Sequence, residues 1–248
     1  IGKFDQAIVV LQQAQSIYEK VDHKKQLAAV FTLLGQAYLQ LSSFVNALQY
    51  TLSGLELAQE IQDRTVEGRL LINLASVYIE REEYARALPY VLRAAKDAEI
   101  SQDLQFQAES LEKSCVVYSG LGNAGMALSA GIKSLNLFVD LKEKWGEAKT
   151  LNSLGRAYSG MKDYPKALEC FEDALRITRQ ISSPYESVVS LIRIGQVYHA
   201  GSKCNATSCS PRFIVRRFNS SGHWLTMNDF MKLKSRFSTM NLKPNSKI

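Results

Sequence analysis

Apolar residues recur along this chain at helical spacing, in two stripes per unit separated by short polar breaks. Over residues 64–101, Leu70, Leu71, Leu74, Val77 and Tyr78 make one stripe. Tyr84, Ala87, Leu88, Val91, Ala94 and Ala95 make the second. Spacing of this kind predicts two amphipathic helices, each about 16–18 residues long. Arg81-Glu82-Glu83 lies between them and is too short for anything but a tight reversal. One unit is therefore a helix-turn-helix hairpin.

The unit repeats without insertion or deletion. Tyr38, Tyr78, Tyr118, Tyr158 and Tyr198 stand 40 residues apart, and Ala7, Ala47, Ala87, Ala127 and Ala167 keep step, each followed by Ile or Leu. A fixed period of this size marks a solenoid of stacked units, an architecture used more often as a binding surface than as a reaction vessel. Gly35, Ala75, Cys115, Gly155 and Gly195 precede the tyrosines by three, on the same helical face. A larger side chain there would hold the two helices of a hairpin apart. Phe4, Phe44, Tyr84 and Tyr164 fill the start of the second helix, and Ser183-Pro184 reads as a helix start.

The segments LLGQAYLQLSSFVNAL, NLASVYIEREEYARAL, SLGRAYSGMKDYPKAL and RIGQVY resemble the tetratricopeptide repeat, with its Leu-Gly-x-x-Tyr, a turn, then an aromatic and Ala-Leu. Ala14, Gly54, Ala94, Ser134 and Ala174 match the family's second small position. The usual period of the family is about 34 residues, and this spacing is similar to its longer variant, found in kinesin light chains, Pins-type adaptors and bacterial signalling proteins. HEAT and armadillo repeats, at about 40–47 residues, compete on length alone; the tyrosine and small-residue ladders decide against them. The fold implied is all-α, a right-handed superhelical solenoid of antiparallel hairpins followed by an irregular C-terminal tail. In the third unit Ser114 replaces leucine, Ala124 replaces the aromatic, and Gly120, Gly122, Gly125 and Gly131 add backbone freedom, so this unit is the expected weak point, with a hinge open and plain drift in a repeat held by its neighbours the preferred reading.

The resemblance also implies a binding surface. In the family the first helix of each hairpin lines a concave groove that takes a peptide. The matching positions here are Thr32 and Gln36; Arg69, Asn73, Ser76 and Glu80; Glu109, Glu112 and Lys113; Lys149, Asn152 and Arg156; and Ile192 and Gln196. Asn73 and Asn152 are the preferred ligands for a peptide main chain, because a buried amide both donates and accepts. Lys113, Lys149 and Arg156 favour an acidic segment, while Glu109 and Glu112 oppose a uniformly acidic one. The family's Lys/Asn clamp for a C-terminal carboxylate is not matched, since Thr32 and Gln36 stand at the first-unit positions.

Charge separates the array from the C-terminal segment. Residues 1–200 hold 21 Lys/Arg and 23 Asp/Glu, whereas residues 201–248 hold 9 Lys/Arg and the single acid Asp229. The high pI belongs to this tail, in which the ladder is lost: Cys204, Thr207 and Ser208 stand where Tyr164, Ala167 and Leu168 stood, and Pro211 would break a second helix. An altered reading frame or splice, an irregular basic tail and a small second domain are all open for it. The expected organisation is a half repeat 1–21, full repeats 22–61, 62–101, 102–141 and 142–181, a half repeat 182–200, and a poorly ordered tail 201–248. Starting inside a repeat and without Met, the chain reads as a piece of a longer one.

Catalytic chemistry finds little support. GQVYHAGSK (195–203) fails the phosphate-loop spacing and follows a helix. His199, Cys204, Cys209 and His223 could be grouped as zinc ligands, but the spacing is loose and ordinary thiols are the preferred reading, so no metal and no cofactor are expected. Cys115 reads as structural and His23 as solvated. No apolar run approaches the roughly 18 residues needed to span a bilayer. Cysteine usage points to a reducing cytoplasm. Arg212, Arg216 and Arg217 beside Phe213 and Phe218 are too unspecific a pattern to argue for nucleic acid. The expectation is a non-enzymatic scaffold for a protein or peptide partner, with self-association open. The alternatives are the regulatory segment of a larger signalling protein and, last, an enzyme.

Overall fold

The computed structural model of the chain describes residues 2–204. These form ten helices: α1 (Gly2–Lys20), α2 (Lys24–Gln40), α3 (Phe44–Glu60), α4 (Arg64–Glu80), α5 (Tyr84–Ser101), α6 (Leu104–Gly120), α7 (Ala124–Asp140), α8 (Lys144–Gly160), α9 (Tyr164–Gln180) and α10 (Pro184–Cys204). No strand occurs among the described residues. The chain divides into two compact units, Ile1–Arg193 and Ile194–Ile248. In the second, the described residues continue α10, so helix persists through Cys204 instead of ending near residue 200. The rest of the expected tail lies outside the described residues.

Within the first unit the expected hairpins are present, α2 with α3, α4 with α5, α6 with α7 and α8 with α9. A finer regularity underlies the 40-residue period. Asp22, Ser42, Gln62, Glu82, Gln102, Gly122, Lys142, Lys162 and Ser182 all take positive φ, between 49° and 75°. They stand 20 residues apart, so turns within a hairpin and turns between hairpins share one backbone geometry. The next N–H reaches back to a helix carbonyl, as Ser43 does to Tyr38 (2.9 Å), Glu83 to Tyr78 (2.8 Å) and Asp163 to Tyr158 (3.0 Å). This left-handed cap satisfies carbonyls that a helix end would otherwise orphan. Asp63, Asp103, Asn123 and Asp163 then cap the following helix, accepting from the N–H three residues on.

Close approach is fixed by the small ladders. A Cβ on Gly35 would lie 2.8 Å from Thr51 Oγ1, and one on Gly155 would lie 2.6 Å from the Phe171 ring. Ala75 and Cys115 hold the same position fully buried, as do Ala47, Ala87, Ala127 and Ala167 on the facing helix. Tyr38 stacks on Tyr50 (5.4 Å between centroids, 5° between planes) and Tyr78 on Tyr90 (5.7 Å, 5°). Tyr118 packs beside Cys115, Ala127 and Leu154, and Tyr158 carries the Lys166 ammonium over its ring at 5.4 Å. Gly195 and Tyr198 lie in the second unit, both half-buried on α10.

The third unit's glycines, read as a source of backbone freedom, are mostly in close contact or in the turn. A Cβ on Gly131 would lie 2.9 Å from Cys115 Sγ, and one on Gly120 would run into the Tyr84 ring. Gly122 occupies the left-handed turn position, leaving Gly125 as the open one. Ser114, buried, returns its hydroxyl to Ser110 O at 2.8 Å. Gly120 and Gly131 are therefore held by packing, while Gly122 takes a left-handed turn position that Asp22, Ser42 and other non-glycine residues also take.

The turn geometry makes a stability prediction. A side chain in left-handed backbone costs roughly 1–2 kcal/mol, part of which glycine returns as unfolded-chain entropy. Lys142→Gly should stabilise the protein by about 0.5–1 kcal/mol and Gly122→Ala should destabilise it by about 1 kcal/mol. Urea midpoints followed by far-UV circular dichroism will read both.

Candidate functional site: the inner face

The first helices of successive hairpins pack on one another, α2 on α4, α4 on α6 and α6 on α8. The second helices α3, α5, α7 and α9 do not pack on each other comparably. The first helices therefore line the inside of the curve within this unit, and they carry the sequence-predicted site residues.

Each junction on this face is tied by polar groups. Between α2 and α4, the Asn73 amide donates to Thr32 O at 2.9 Å. Thr32 turns its own hydroxyl to Ala28 O. Between α4 and α6, Arg69 pairs with Asp103 at 2.8 Å, approaches Glu109 at 3.9 Å and lies over the Phe106 ring, 5.3 Å from its centroid. Between α6 and α8, Glu112 accepts the Ser153 hydroxyl at 2.6 Å and has Lys113 Nζ at 3.3 Å and Lys149 Nζ at 4.0 Å. Lys149 also stands 4.2 Å from the Trp145 ring centroid. Between α8 and α10, Ser190 donates to Asn152 Oδ1 at 3.0 Å.

The two asparagines are thus placed within junctions. Asn73 is fully enclosed and holds main chain, but that of its own preceding unit. Asn152 is also buried, with its Nδ2 unpartnered. Arg156 donates to the Tyr84 hydroxyl at 3.3 Å, across the end of α6. Gln36 is exposed, Ser76 is half-buried and Glu80 is exposed. On α2, Ala29 and Gln36 are exposed, and Leu33 is 50% exposed at the ladder position by which Asn73 and Ser153 meet the preceding first helix. Ile192 is exposed on α10, and Gln196 is exposed in the second unit.

Glu112, Lys113, Lys149 and Glu186 form a mixed-charge cluster. Burial alone would push the Glu112 carboxyl up, but the two lysines and the Ser153 hydroxyl outweigh it and hold it at about 2, below its usual 4.5. Burial lowers Lys113, and Glu112 more than restores it, so its ammonium is favoured. Burial and the neighbouring Lys113 charge together draw Lys149 below the ordinary lysine range. Burial raises the Glu186 carboxyl, with Lys149 opposing. The four charges cancel, and the lysine side chains keep 21% and 25% exposure towards the face.

Ser153, Ser190, Tyr84 and Glu186 were not among the sequence-predicted site residues. Two of them carry a period signal. Ser110, Thr150 and Ser190 put hydroxyls on one 40-residue ladder, and Glu186 stands where Gln26, Val66, Phe106 and Gly146 stood. No group of potential metal ligands occurs among the described residues.

An array of two-helix units, joined by uniform turns and curved about its first helices, defines an α-solenoid repeat protein. Residues 106–180 match the family model described as tetratricopeptide repeat. No curated protein matches by sequence. Among solved structures, the chain is similar to BtubC (BKLC) from P. vanneervenii, at 17% identity and TM-score 0.64 over 99% of this chain and 95% of that one. It is also similar to a Rap protein complexed with competence and sporulation factor, at 13% and 0.67, covering 80% of this chain and 60% of that one. A third is a signal transduction ATPase with a tetratricopeptide repeat sensor from Pyrococcus horikoshii, at 20% and 0.59, of which the chain covers 30% while 79% of its own length is matched. These likenesses are of fold.

The charge cluster makes a pH prediction. Glu112 has a depressed folded pKa, so its contribution is present above its unfolded value near 4.5 and lost as pH falls towards about 2. Glu186 works in the opposite sense, since protonating it relieves a buried charge. Glu112→Gln should destabilise the protein at pH 7 by about 2 kcal/mol, by leaving two lysines without their shared counter-ion. It should also flatten the acid-side loss of stability, and adding Lys149→Met should recover part of the deficit. Urea unfolding at a series of pH values checks all three.

Proposed function

We propose that this chain is a non-catalytic interaction scaffold that holds a protein or peptide segment along the inner face of its first helices. The observation that carries this reading is the row of polar groups along that face: Gln36 is exposed, and Arg69, Ser76, Lys113, Lys149 and Arg156 are half-buried. Amide, hydroxyl and cationic groups of this kind suit an extended segment with polar and acidic side chains. The Rap protein complexed with a sporulation factor supports a binding role for this fold. Gln36, Ser76 and Arg69 would meet the segment first, and Lys113, Lys149 and Arg156 would meet it deeper along the face. Asn73 would act from behind, by fixing the angle between α2 and α4.

A second reading is favoured by the ATPase whose tetratricopeptide repeats are described as a sensor. In it, the array is the regulatory segment of a longer signalling protein, and the bound segment or ligand is the signal. Among the described residues no helix is long and apolar enough to cross a membrane, and a cytoplasmic location is proposed with either reading.

Crosslinking tests the shared core of both. A photo-crosslinking residue at Gln36 should capture partners, while the same residue at Val45 on α3, 80% exposed, should not. Capture from Val45 with none from Gln36 would place binding on the other side of the array.

A further inference from the structure

Two lysines of the inner face compete for one carboxylate oxygen. Lys113 on α6 brings its Nζ to 3.3 Å from Glu112 Oε2, and Lys149 on α8 brings its own to 4.0 Å from the same atom. The other oxygen, Oε1, accepts the Ser153 hydroxyl at 2.6 Å. A separation of 4.0 Å exceeds a hydrogen bond, so Lys113 holds the nearer place and Lys149 faces a counter-ion that it does not bond. Lys149 Nζ also lies 4.2 Å from the centroid of the Trp145 ring. An indole face attracts an ammonium more weakly than a hydrogen-bonded carboxylate does. In other respects the two lysines are alike, on neighbouring first helices and with 21% and 25% of their side chains exposed.

We propose that Lys149 is an acylation site: its amine accepts the acyl group of a small thioester, while Lys113 beside it does not. Only the unprotonated amine attacks. Nζ bonds the carbonyl carbon as the carbon–sulfur bond breaks, the sulfur leaves with the electron pair and takes up a proton, and the amine gives up one, so that an amide and a thiol result. An ammonium that has a like charge beside it, and whose counter-ion is held by that neighbour, loses its proton at lower pH than an exposed one. Lys149 meets both conditions and Lys113 meets neither in full. The directions agree, since burial and the Lys113 charge draw Lys149 below the usual lysine range, whereas Glu112 more than offsets burial at Lys113. The other charges facing Lys149 are Glu109 on α6, which pairs with Arg69, and the buried Glu186 on α10. Both are acids, and they moderate the effect. The donor is uncharged, because the charges of the cluster cancel and offer an anionic donor no net attraction. Acylation suits the fold as well: it removes one of two positive charges that share Glu112 and leaves Lys113 with an undivided counter-ion. The chemistry is the same whether or not the inner face holds a partner.

The test uses the full chain and its Lys113→Gln variant, with S-acetyl-N-acetylcysteamine as the thioester. Brief pulses are given at a series of pH values from about 7 to 11, with helicity checked at each, and acetylation of every lysine is read individually by mass spectrometry. Each lysine's rate at the lowest pH is divided by the limiting rate of its own profile, which cancels differences in access. Relative to the exposed Lys133 on α7, this ratio should be about threefold higher for Lys149 and no higher for Lys113. In Lys113→Gln, which frees Glu112 for Lys149, the Lys149 ratio should fall to that of Lys133 or below. Burial alone would move both lysines of the cluster the same way, so equal ratios for Lys113 and Lys149 overturn the proposal. A Lys149 ratio no higher than that of Lys133 overturns it too, as does a raised ratio that survives Lys113→Gln.

Discussion

The structure depends on how closely two helices can approach at one place per hairpin. Gly35, Ala75, Cys115 and Gly155 meet the second helix of their own unit where a further carbon would collide, as with Thr51 and Phe171. A gap of this kind cannot be widened in one unit alone, because each first helix also packs on the next. Interiors this dense transmit a displacement instead of absorbing it. The same small set of residue types therefore recurs at a fixed period, and the period survives because the turns are uniform. Seventeen-residue helices and left-handed turn residues 20 apart leave no slack for insertion.

Close packing accounts for the hairpin; polar ties account for the curve. Apolar contact between first helices would allow sliding, since it has little directional preference. A buried amide on a carbonyl, as in Asn73 on Thr32, or a hydroxyl on a carboxylate, as in Ser153 on Glu112, permits one register and leaves a costly unsatisfied group at any other. The side of the array proposed for a partner is thus the side whose own hydrogen bonds set the geometry. Residues such as Asn73 can affect binding without touching a ligand.

Much of this fold was legible in the sequence, for a physical reason. Tyr38, Gly35 and Ala47 are demanded by local packing that every unit repeats, so periodicity alone exposes them. The 20-residue cadence of the turns was harder to see, because Asp22, Ser42, Gln62, Glu82, Lys142 and Lys162 share a backbone angle and no side-chain chemistry. The third unit's glycines were hard to read for the opposite reason. Its glycines suggest freedom when read singly, yet Gly131 against Cys115 and Gly120 against Tyr84 are there because nothing larger fits. On the inner face, sequence placed Asn73, Glu112, Lys149 and Asn152 on the right helices. It could not tell which of them the neighbouring unit would consume, since that depends on partners 38 to 41 residues away, such as Ser190 and Ser153.

That distinction bears on how such arrays evolve binding sites. A position on the first helix has two uses, tying the junction or meeting a ligand, and the same polar residue types serve both. Where the tie is made by an uncharged amide, as at Asn73, the face nearby keeps its charge for other purposes. Where it is made by a carboxylate between two lysines, as at Glu112, the junction neutralises one charge and leaves another poorly matched.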